Sequence, residues 1–222
     1  LGYAGHGNCI RYEYGLFKQK IVDGKQVEVP DQWLKLGNVW EVRKPKHAVN
    51  VKFYGTVEME MDIYGKAKIN HVGAQIIQAV PYDMEVVGHN TNLTNTLRLW
   101  SAEPAEDASN SQEFSEYIRD VIAINQNVYP DDSTEAGRYL RLKQQYFFVS
   151  AGLTALIKAH LRVYDTLDNF AEKNAIQLND THPVLAIPEL MRILMDDYLY
   201  EWDDAFRIVQ ESVGVDAVAA VV

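Results

Sequence analysis

Residues 175–192 read AIQLNDTHPVLAIPELMR. The apolar start predicts a short strand, the polar run at 179–182 predicts a turn, and the spaced apolar residues after Pro183 predict a helix. A strand, a turn and a helix in this order are typical of an open α/β sheet, which binds ligands at the carboxyl ends of its strands. The polar turn is therefore the first candidate for a binding site.

The composition favours a globular protein and excludes several classes of partner. With 222 residues, 47% of them hydrophobic, the chain can form one large domain or two small ones. A net charge of −10 without a Lys/Arg cluster argues against nucleic acid or an anionic membrane surface as a partner. Cys9 is the single cysteine, which excludes an internal disulfide framework and favours a reducing, cytoplasmic compartment.

The hydrophobic periodicity predicts strands early in the chain and helices later. The strand predictions are 10–19, 27–29, 49–61, 75–80 ending at Pro81, and 175–179, and residues 93–100 are predicted to form a short apolar strand or a turn. The helix predictions are a helix capped by Ser111, a long helix at 138–163, one that ends near 200 and one from Trp202. Turns or loops are predicted at 23–24, 64–66, 102–110, 129–133 and 165–174. This order predicts an α/β domain with an antiparallel insertion.

The alternation at 49–61 places six apolar residues on one face of a single strand. They are Val49, Val51, Phe53, Val57, Met59 and Met61.

Two interpretations of the turn at 179–182 remain open on chemistry alone. Asp180 or Thr181 can cap the next helix, with Pro183 in its first turn. Alternatively, an amide, a carboxylate, a hydroxyl and an imidazole together suit a polyhydroxylated substrate, because each sugar hydroxyl both donates and accepts.

Other patterns offer little chemistry. The glycines of residues 2–8 have the wrong order for a dinucleotide loop, and a strand pattern follows them instead of a helix. The six histidines lack metal-binding spacing, so no metal site is expected.

Several long motifs resemble those of the α-glucan phosphorylases, the family of glycogen, starch and maltodextrin phosphorylase. The resemblance runs from about residue 3 to residue 210. The motifs are IRYEYG at 10–15, NTLRLWSA at 95–102, RLKQQYFFVSA at 141–151, IQLNDTHP at 176–183 and AIPELMR at 186–192.

The resemblance implies a fold and an activity. Residues 1–222 would form part of the N-terminal Rossmann-like domain of a two-domain, GT-B-like glycosyltransferase, and the C-terminal cofactor-binding domain would be absent. The complete enzyme would use inorganic phosphate to release glucose 1-phosphate from an α-1,4-glucan. It would hold pyridoxal 5'-phosphate on a lysine outside this chain and would form a homodimer.

The resemblance also implies which residues meet the substrate. Asp180 and His182 would line the glucan channel, and Tyr129 and Asp132 would belong to a gate loop over it. Arg141 would lie near that loop and could pair with Asp132 to hold it shut.

Two further positions are less direct. Many family members carry Asn at the position of Asp131, so a contact through that amide is in question here. The stretch at 95–101 is expected to be mainly structural, with Arg98 as a candidate site residue.

No residue of this chain is assigned a catalytic role, and the 222-residue polypeptide is expected to be inactive alone. Two hypotheses therefore remain. The chain is part of a working phosphorylase, or it is a non-enzymatic glucan-binding or regulatory relic. The preferred glucan and any allosteric ligand stay open.

Overall fold

Strands dominate the first half of the protein and helices the second. The computed structural model describes residues 2–61, 63, 65, 67–105 and 112–216. The strands are β1 (His6–Ile10), β2 (Gly15–Val22), β3 (Lys25–Asp31), β4 (Glu41–Arg43), β5 (Val49–Phe53), β6 (Thr56–Met61), β7 (Ala67–Val72), β8 (Gln75–Val87), β9 (Thr94–Pro104), β10 (Ile176–Asn179) and β11 (Val213–Asp216). The helices are α1 (Gln112–Gln126), α2 (Glu135–Leu161), α3 (Phe170–Lys173), α4 (Ala186–Arg192) and α5 (Trp202–Ser212). A 3₁₀-helix at Pro45–His47 precedes β5, and a π-helix at Ile193–Asp197 follows α4.

The mixed α/β class predicted from the sequence is confirmed by this order. Some predictions lie outside the described residues, namely the Ser111 cap, residues 106–110 of the loop, and Tyr64 and Lys66 of the turn. No helix in the described ranges has the length and apolar character needed to cross a membrane.

The chain divides into two compact units. The first comprises the described residues of Leu1–Asn50 and Ile77–Gln144, and the second those of Val51–Ile76 and Gln145–Val222. Helix α2 begins in the first unit and ends in the second.

A mixed sheet organises the first unit. Its strand order is β1-β9-β8-β4, with β1 parallel to β9 and the other two pairings antiparallel. Trp100 on β9 is fully buried and donates its indole N–H to the Asn8 side chain at 3.0 Å. The buried Asn125 of α1 exchanges two hydrogen bonds of 2.8 Å with the backbone of Ala102. An amide side chain thus attaches α1 to the sheet at a place where unpaired backbone groups would be costly.

A charge cluster around the buried Asp83 carboxylate links neighbouring strands of this sheet. Asp83 on β8 lies opposite Arg98 on β9, and their side chains form two bonds of 2.6 and 2.7 Å. Lys44 reaches the same carboxylate at 2.9 Å. Burial raises the pKa of Asp83, but the bonds from Arg98 and Lys44 more than offset this, so the net pKa is below the ordinary value.

The hairpin signal at Asp23-Gly24 is confirmed. Strands β2 and β3 pair antiparallel, and both turn residues have positive φ, 50° and 72°, as a type I′ turn requires.

The single strand predicted at 10–19 is wrong, because the chain leaves the sheet after Ile10 and re-enters a strand at Gly15. Within this break, the Arg11 N–H donates to the Trp100 carbonyl and the Glu13 N–H to the Asn125 carbonyl, each at 2.8 Å. The alternating pattern continues through the break although the backbone does not stay extended.

The single strand predicted at 49–61 is also wrong. Tyr54 and Gly55 both have left-handed backbones, with φ of 58° and 78°, and separate β5 from β6. The six apolar residues therefore do not share a face. Those of β5 (Val49, Val51, Phe53) are buried, whereas those of β6 (Val57, Met59, Met61) are about two-thirds exposed.

Pro81 does not end a strand as predicted. Strand β8 runs through Pro81 to Val87. The Pro81 carbonyl accepts the Lys44 N–H at 2.9 Å. The predicted linker at 165–174 contains the short helix α3, whose Phe170 is fully buried.

The second unit has its own core beside the parallel pair β10–β11. Fully buried members include Phe170, Leu190, Leu194 and Ile208. The long helix and the strand at 175–179 match their predictions closely as α2 and β10, while β11 was not predicted.

Replacing Asp83 with Asn should lower stability in a pH-dependent way. The folded-state pKa of Asp83 is depressed, so its stabilisation is present above the ordinary aspartate pKa of about 4 and is lost as the pH falls through the folded value. At pH 7 the loss should be about 3 kcal/mol, because the partly buried Arg98 is left without its carboxylate. Urea unfolding at pH 7 and at acidic pH checks this. A gap that stays constant with pH would contradict it, and Glu103→Gln, at an exposed pair with Arg43, is the control expected to change little.

Replacing Gly55 with Ala should destabilise the protein more than replacing Gly65. Both glycines have left-handed backbones, so each substitution costs roughly 1–2 kcal/mol of backbone energy. A Cβ at Gly55 would also lie 2.5 Å from the Val72 carbonyl oxygen and 2.9 Å from the Ala74 nitrogen, whereas a Cβ at Gly65 meets nothing within 4 Å. Denaturant midpoints of the two variants measure the difference, and equal midpoints would refute the steric argument.

Candidate functional site

The polar turn lies directly after β10, at the carboxyl end of a strand in a parallel pair, as the sequence predicts. Asp180 has a φ of 63°, a left-handed conformation that aspartate tolerates better than most residues. Its Oδ1 accepts the Thr181 N–H at 2.6 Å. The carboxylate thus stabilises the turn that carries it.

Asp180 and His182 form a pair within this turn. The His182 Nε2 lies 3.3 Å from the Asp180 Oδ2, and each side chain is about one-third exposed. A half-buried carboxylate and imidazole can offer acceptors and a donor to sugar hydroxyls from the same short segment. The structure therefore brings these two predicted residues together.

The capping alternative for Asp180 and Thr181 is wrong. Helix α4 begins at Ala186, and its N-cap, Leu185, makes no side-chain cap bond. Between the turn and the helix, the N–H groups of Val184, Ala186 and Ile187 each donate to the carbonyl three residues earlier. Pro188, not Pro183, lies in the first turn of α4, where its missing N–H costs nothing.

Tyr129, Asp132 and Arg141 form a second group, which lies in the first unit. The Arg141 guanidinium pairs with the Asp132 carboxylate, so the pairing expected from the sequence is confirmed. The same guanidinium lies 6.0 Å from the centre of the Tyr129 ring, within the range of a cation–π contact. The Asp132 side chain is 53% exposed, so this loop carries its charge at the surface.

Asp131 has a local role in the same loop. Its Oδ1 accepts the Ser133 N–H at 3.0 Å, and hydrogen bonding to Ser133 lowers the pKa of Asp131. An asparagine Oδ1 could accept the same bond, so Asp and Asn are equivalent for the shape of this turn.

The loop is attached at both ends to regular structure. The buried Gln144 of α2 donates to the Ile124 carbonyl at 3.1 Å and to the Asn127 carbonyl at 2.9 Å, which fixes the segment before the loop. After the loop, Arg138 reaches the carbonyls of Asp132 and Ser133, each at 3.4 Å.

Arg98, the site candidate of the stretch at 95–101, forms two hydrogen bonds with the Asp83 carboxylate. Among the described residues, no group of three or more His, Cys, Asp or Glu side chains is placed to hold a metal ion.

One group near the turn was missed from the sequence. Glu189 is 4% exposed and lies on the buried side of α4 with Ala186 and Leu190. A charged residue at a core position of a helical pattern is the signal that could have identified it, because such residues are rarely buried without partners.

Comparison with known proteins finds the same family along nearly the whole chain. The family model described as "Phosphorylase: Carbohydrate phosphorylase" matches residues 1–217. The chain is 46% identical over 213 residues to a protein named glycogen phosphorylase from Bacillus subtilis (strain 168), covering 96% of this chain and 26% of that protein. It is 41% identical to the glycogen phosphorylase of Synechocystis sp. (94% and 25% covered) and 42% identical to the brain form from Homo sapiens (96% and 26% covered). The chain therefore spans about a quarter of the length of these relatives.

Replacing Gly137 with Ala should displace the loop at 129–133. In an ordinary helix this change stabilises by about 1 kcal/mol. Here the new Cβ would lie 1.7 Å from the Asp131 carbonyl oxygen, so the loop must move and the Arg141–Asp132 pair must weaken. Hydrogen exchange of the loop amides should become faster. Tyr139→Ala, at an exposed position of the same helix, is the control, and unchanged exchange in the Gly137 variant would contradict the expectation.

Proposed function

This chain belongs to the carbohydrate phosphorylase family, and we propose that it forms part of an enzyme that cleaves α-1,4-glucans with inorganic phosphate. The reaction would release the terminal glucose of glycogen or a maltodextrin as glucose 1-phosphate. The observation that carries this proposal is the family match over residues 1–217, together with relatives named glycogen phosphorylase at 41–46% identity.

The fold proposal is the N-terminal Rossmann-like part of a two-domain, GT-B-like enzyme. The parallel pair β10–β11, whose strands are connected through α4 and α5, supports it, since parallel strands joined through helices are the basis of such domains. The antiparallel hairpins β2–β3 and β6–β7 correspond to the proposed insertion.

In this proposal, Asp180 and His182 bind sugar hydroxyls and orient the glucan. Their pairing at 3.3 Å restricts both side chains before the substrate arrives, which lowers the entropy lost on binding. A carboxylate near the sugar would also stabilise positive charge as the glycosidic bond breaks.

The loop with Tyr129 and Asp132 has a different task, which is to exclude water. Water in place of phosphate would give hydrolysis, so the proposed reaction needs a closed site. The pair between Arg141 and Asp132 would favour one position of this loop.

The complete enzyme would carry pyridoxal 5'-phosphate, but the residues described here do not fit its covalent attachment. Lys143 is the buried lysine of the described ranges, and its Nζ lies 2.9 Å from Asp120 in an ion pair. We therefore place the attachment lysine outside this chain.

The proposed partners are an α-1,4-glucan and inorganic phosphate, with a homodimer for the complete enzyme and a cytoplasmic location. The net charge of −10 does not favour nucleic acid or anionic membranes as partners.

An assay of the natural protein tests the activity. Protein isolated from its source should form glucose 1-phosphate from a maltodextrin and phosphate, whereas the 222-residue chain alone should not. Release of free glucose without phosphate, or no product at all, would contradict the proposal. A natural product of 25.3 kDa that binds glucan without turnover would instead support the non-enzymatic hypothesis.

Binding of maltoheptaose to the 222-residue chain tests the site residues. Asp180→Asn and His182→Gln should each weaken binding about tenfold, the value of one hydrogen bond to a charged group. Glu211→Gln, an exposed carboxylate on α5, is the control. Calorimetry that finds equal affinities for all variants would remove Asp180 and His182 from the site.

A further inference from the structure

Glu189 is a buried carboxylate with a full set of hydrogen-bond donors. Its Oε1 accepts from the Ser150 hydroxyl at 2.7 Å, from the Tyr146 hydroxyl at 3.4 Å and from Arg192 at 3.0 Å. Its Oε2 accepts from the Arg192 Nε at 2.8 Å. We call these four residues the Glu189 network.

The network joins α4 to the part of α2 that lies in the second unit. Ser150 and Tyr146 lie on α2, whereas Glu189 and Arg192 lie on α4. Ser150 is 5% exposed, so its bond to Glu189 is shielded from water and is correspondingly strong. Phe53 packs edge-on against the Tyr146 ring at 5.5 Å, which restricts the ring from its other side.

Overlapping backbone bonds span the segment between the network and the Asp180–His182 turn. Glu189 donates its N–H to Leu185, Ile187 to Val184, and Val184 to Thr181, at 3.0, 3.1 and 3.1 Å. Thr181 lies between Asp180 and His182 in the sequence. A shift of α4 along α2 would therefore move the Thr181 carbonyl and, with it, the two site residues.

The other end of the turn is fixed independently. β10 pairs in parallel with β11, and Leu178 is buried in the core at 3% exposure. A left-handed aspartate such as Asp180 carries a cost in backbone energy and persists only when the surrounding structure holds it. Both flanks of the turn supply that constraint.

A carboxylate is not needed here for stability alone. Apolar residues of similar volume often stabilise a core as well as a buried ion pair does. Apolar contacts, however, allow small sliding between helices, whereas the four bonds to Glu189 have fixed directions and lengths.

We propose that Glu189 is a positioning residue, which sets the register of α4 on α2 and thereby the placement of Asp180 and His182 for the sugar. This inference rests on the proposed function for the identity of the ligand, but the placement of the turn does not depend on it.

The test is a ¹³C–¹H spectrum of the 222-residue chain that follows the Cε1–Hε1 cross-peak of His182, assigned by its loss in His182→Gln. Glu189→Leu and Ser150→Ala should move and broaden this cross-peak. Glu189→Gln, which keeps an acceptor for Ser150, should move it less than Leu does. Asp197→Asn removes the 3.4 Å partner of Arg192 outside the network and should leave the cross-peak in place.

Thermal melting of the same variants separates positioning from stability. A variant with an unmoved cross-peak and a lowered melting temperature would overturn the proposal, because Glu189 would then be merely structural. If Glu189→Leu does not fold, Ser150→Ala decides alone, since it removes one bond and leaves the Glu189–Arg192 pair intact.

Maltoheptaose added to the unaltered chain tests the proposed function separately. A sugar that leaves the His182 cross-peak unchanged would contradict the glucan site. The variant-dependent shifts without sugar would still stand as evidence for positioning.

Discussion

The pairing of β8 with β9 is the interaction on which the first unit depends. These two strands run antiparallel from Ile77↔Pro104 to Val87↔Thr94, and they carry β4 and β1 on their outer edges. Asn125 attaches α1 to β9, and the end of α1 in turn accepts bonds from Glu13 and Gln144. The loop with Tyr129 and Asp132 thus rests on the sheet through a chain of specific hydrogen bonds.

The two groups of candidate site residues differ in how firmly they are held. The Arg141–Asp132 pair is half exposed, and pairs of this kind contribute about 0–1 kcal/mol, so the loop can move at little cost. The Asp180–His182 turn lies between β10, whose Leu178 is buried, and a helix bonded to α2 through a buried carboxylate. The proposed function needs this difference, because a gate must open whereas a sugar contact must keep its place.

Local signals predicted well those features that local chemistry determines. The Asp23-Gly24 hairpin, the long helix α2 and the strand before the polar turn depend on a few neighbouring residues and are visible in the sequence. The break at Tyr54 was missed, because a left-handed tyrosine is unusual and the alternating pattern continues past it. Strand β11 was missed for another reason, since it pairs with β10 across more than thirty residues.

The candidate site shows the same division. The Arg141–Asp132 pair was expected from the family resemblance, and the structure confirms the contact. Asp180 and His182 were named, but their mutual pairing and the later start of α4 were not. The Glu189 network joins residues thirty-nine positions apart, and no local pattern specifies the partner of a buried carboxylate.

The hairpin β6–β7 has a consequence for how the protein behaves in solution. In the described part of the chain these strands pair with each other alone, and Val57, Met59 and Met61 expose about two-thirds of their surface. A two-stranded ribbon with open edges and apolar side chains is a template for intermolecular strand pairing. Salts excluded from protein surfaces strengthen the burial of such groups. The three exposed apolar residues of β6 therefore favour self-association of this chain, and sulfate or phosphate strengthens that tendency.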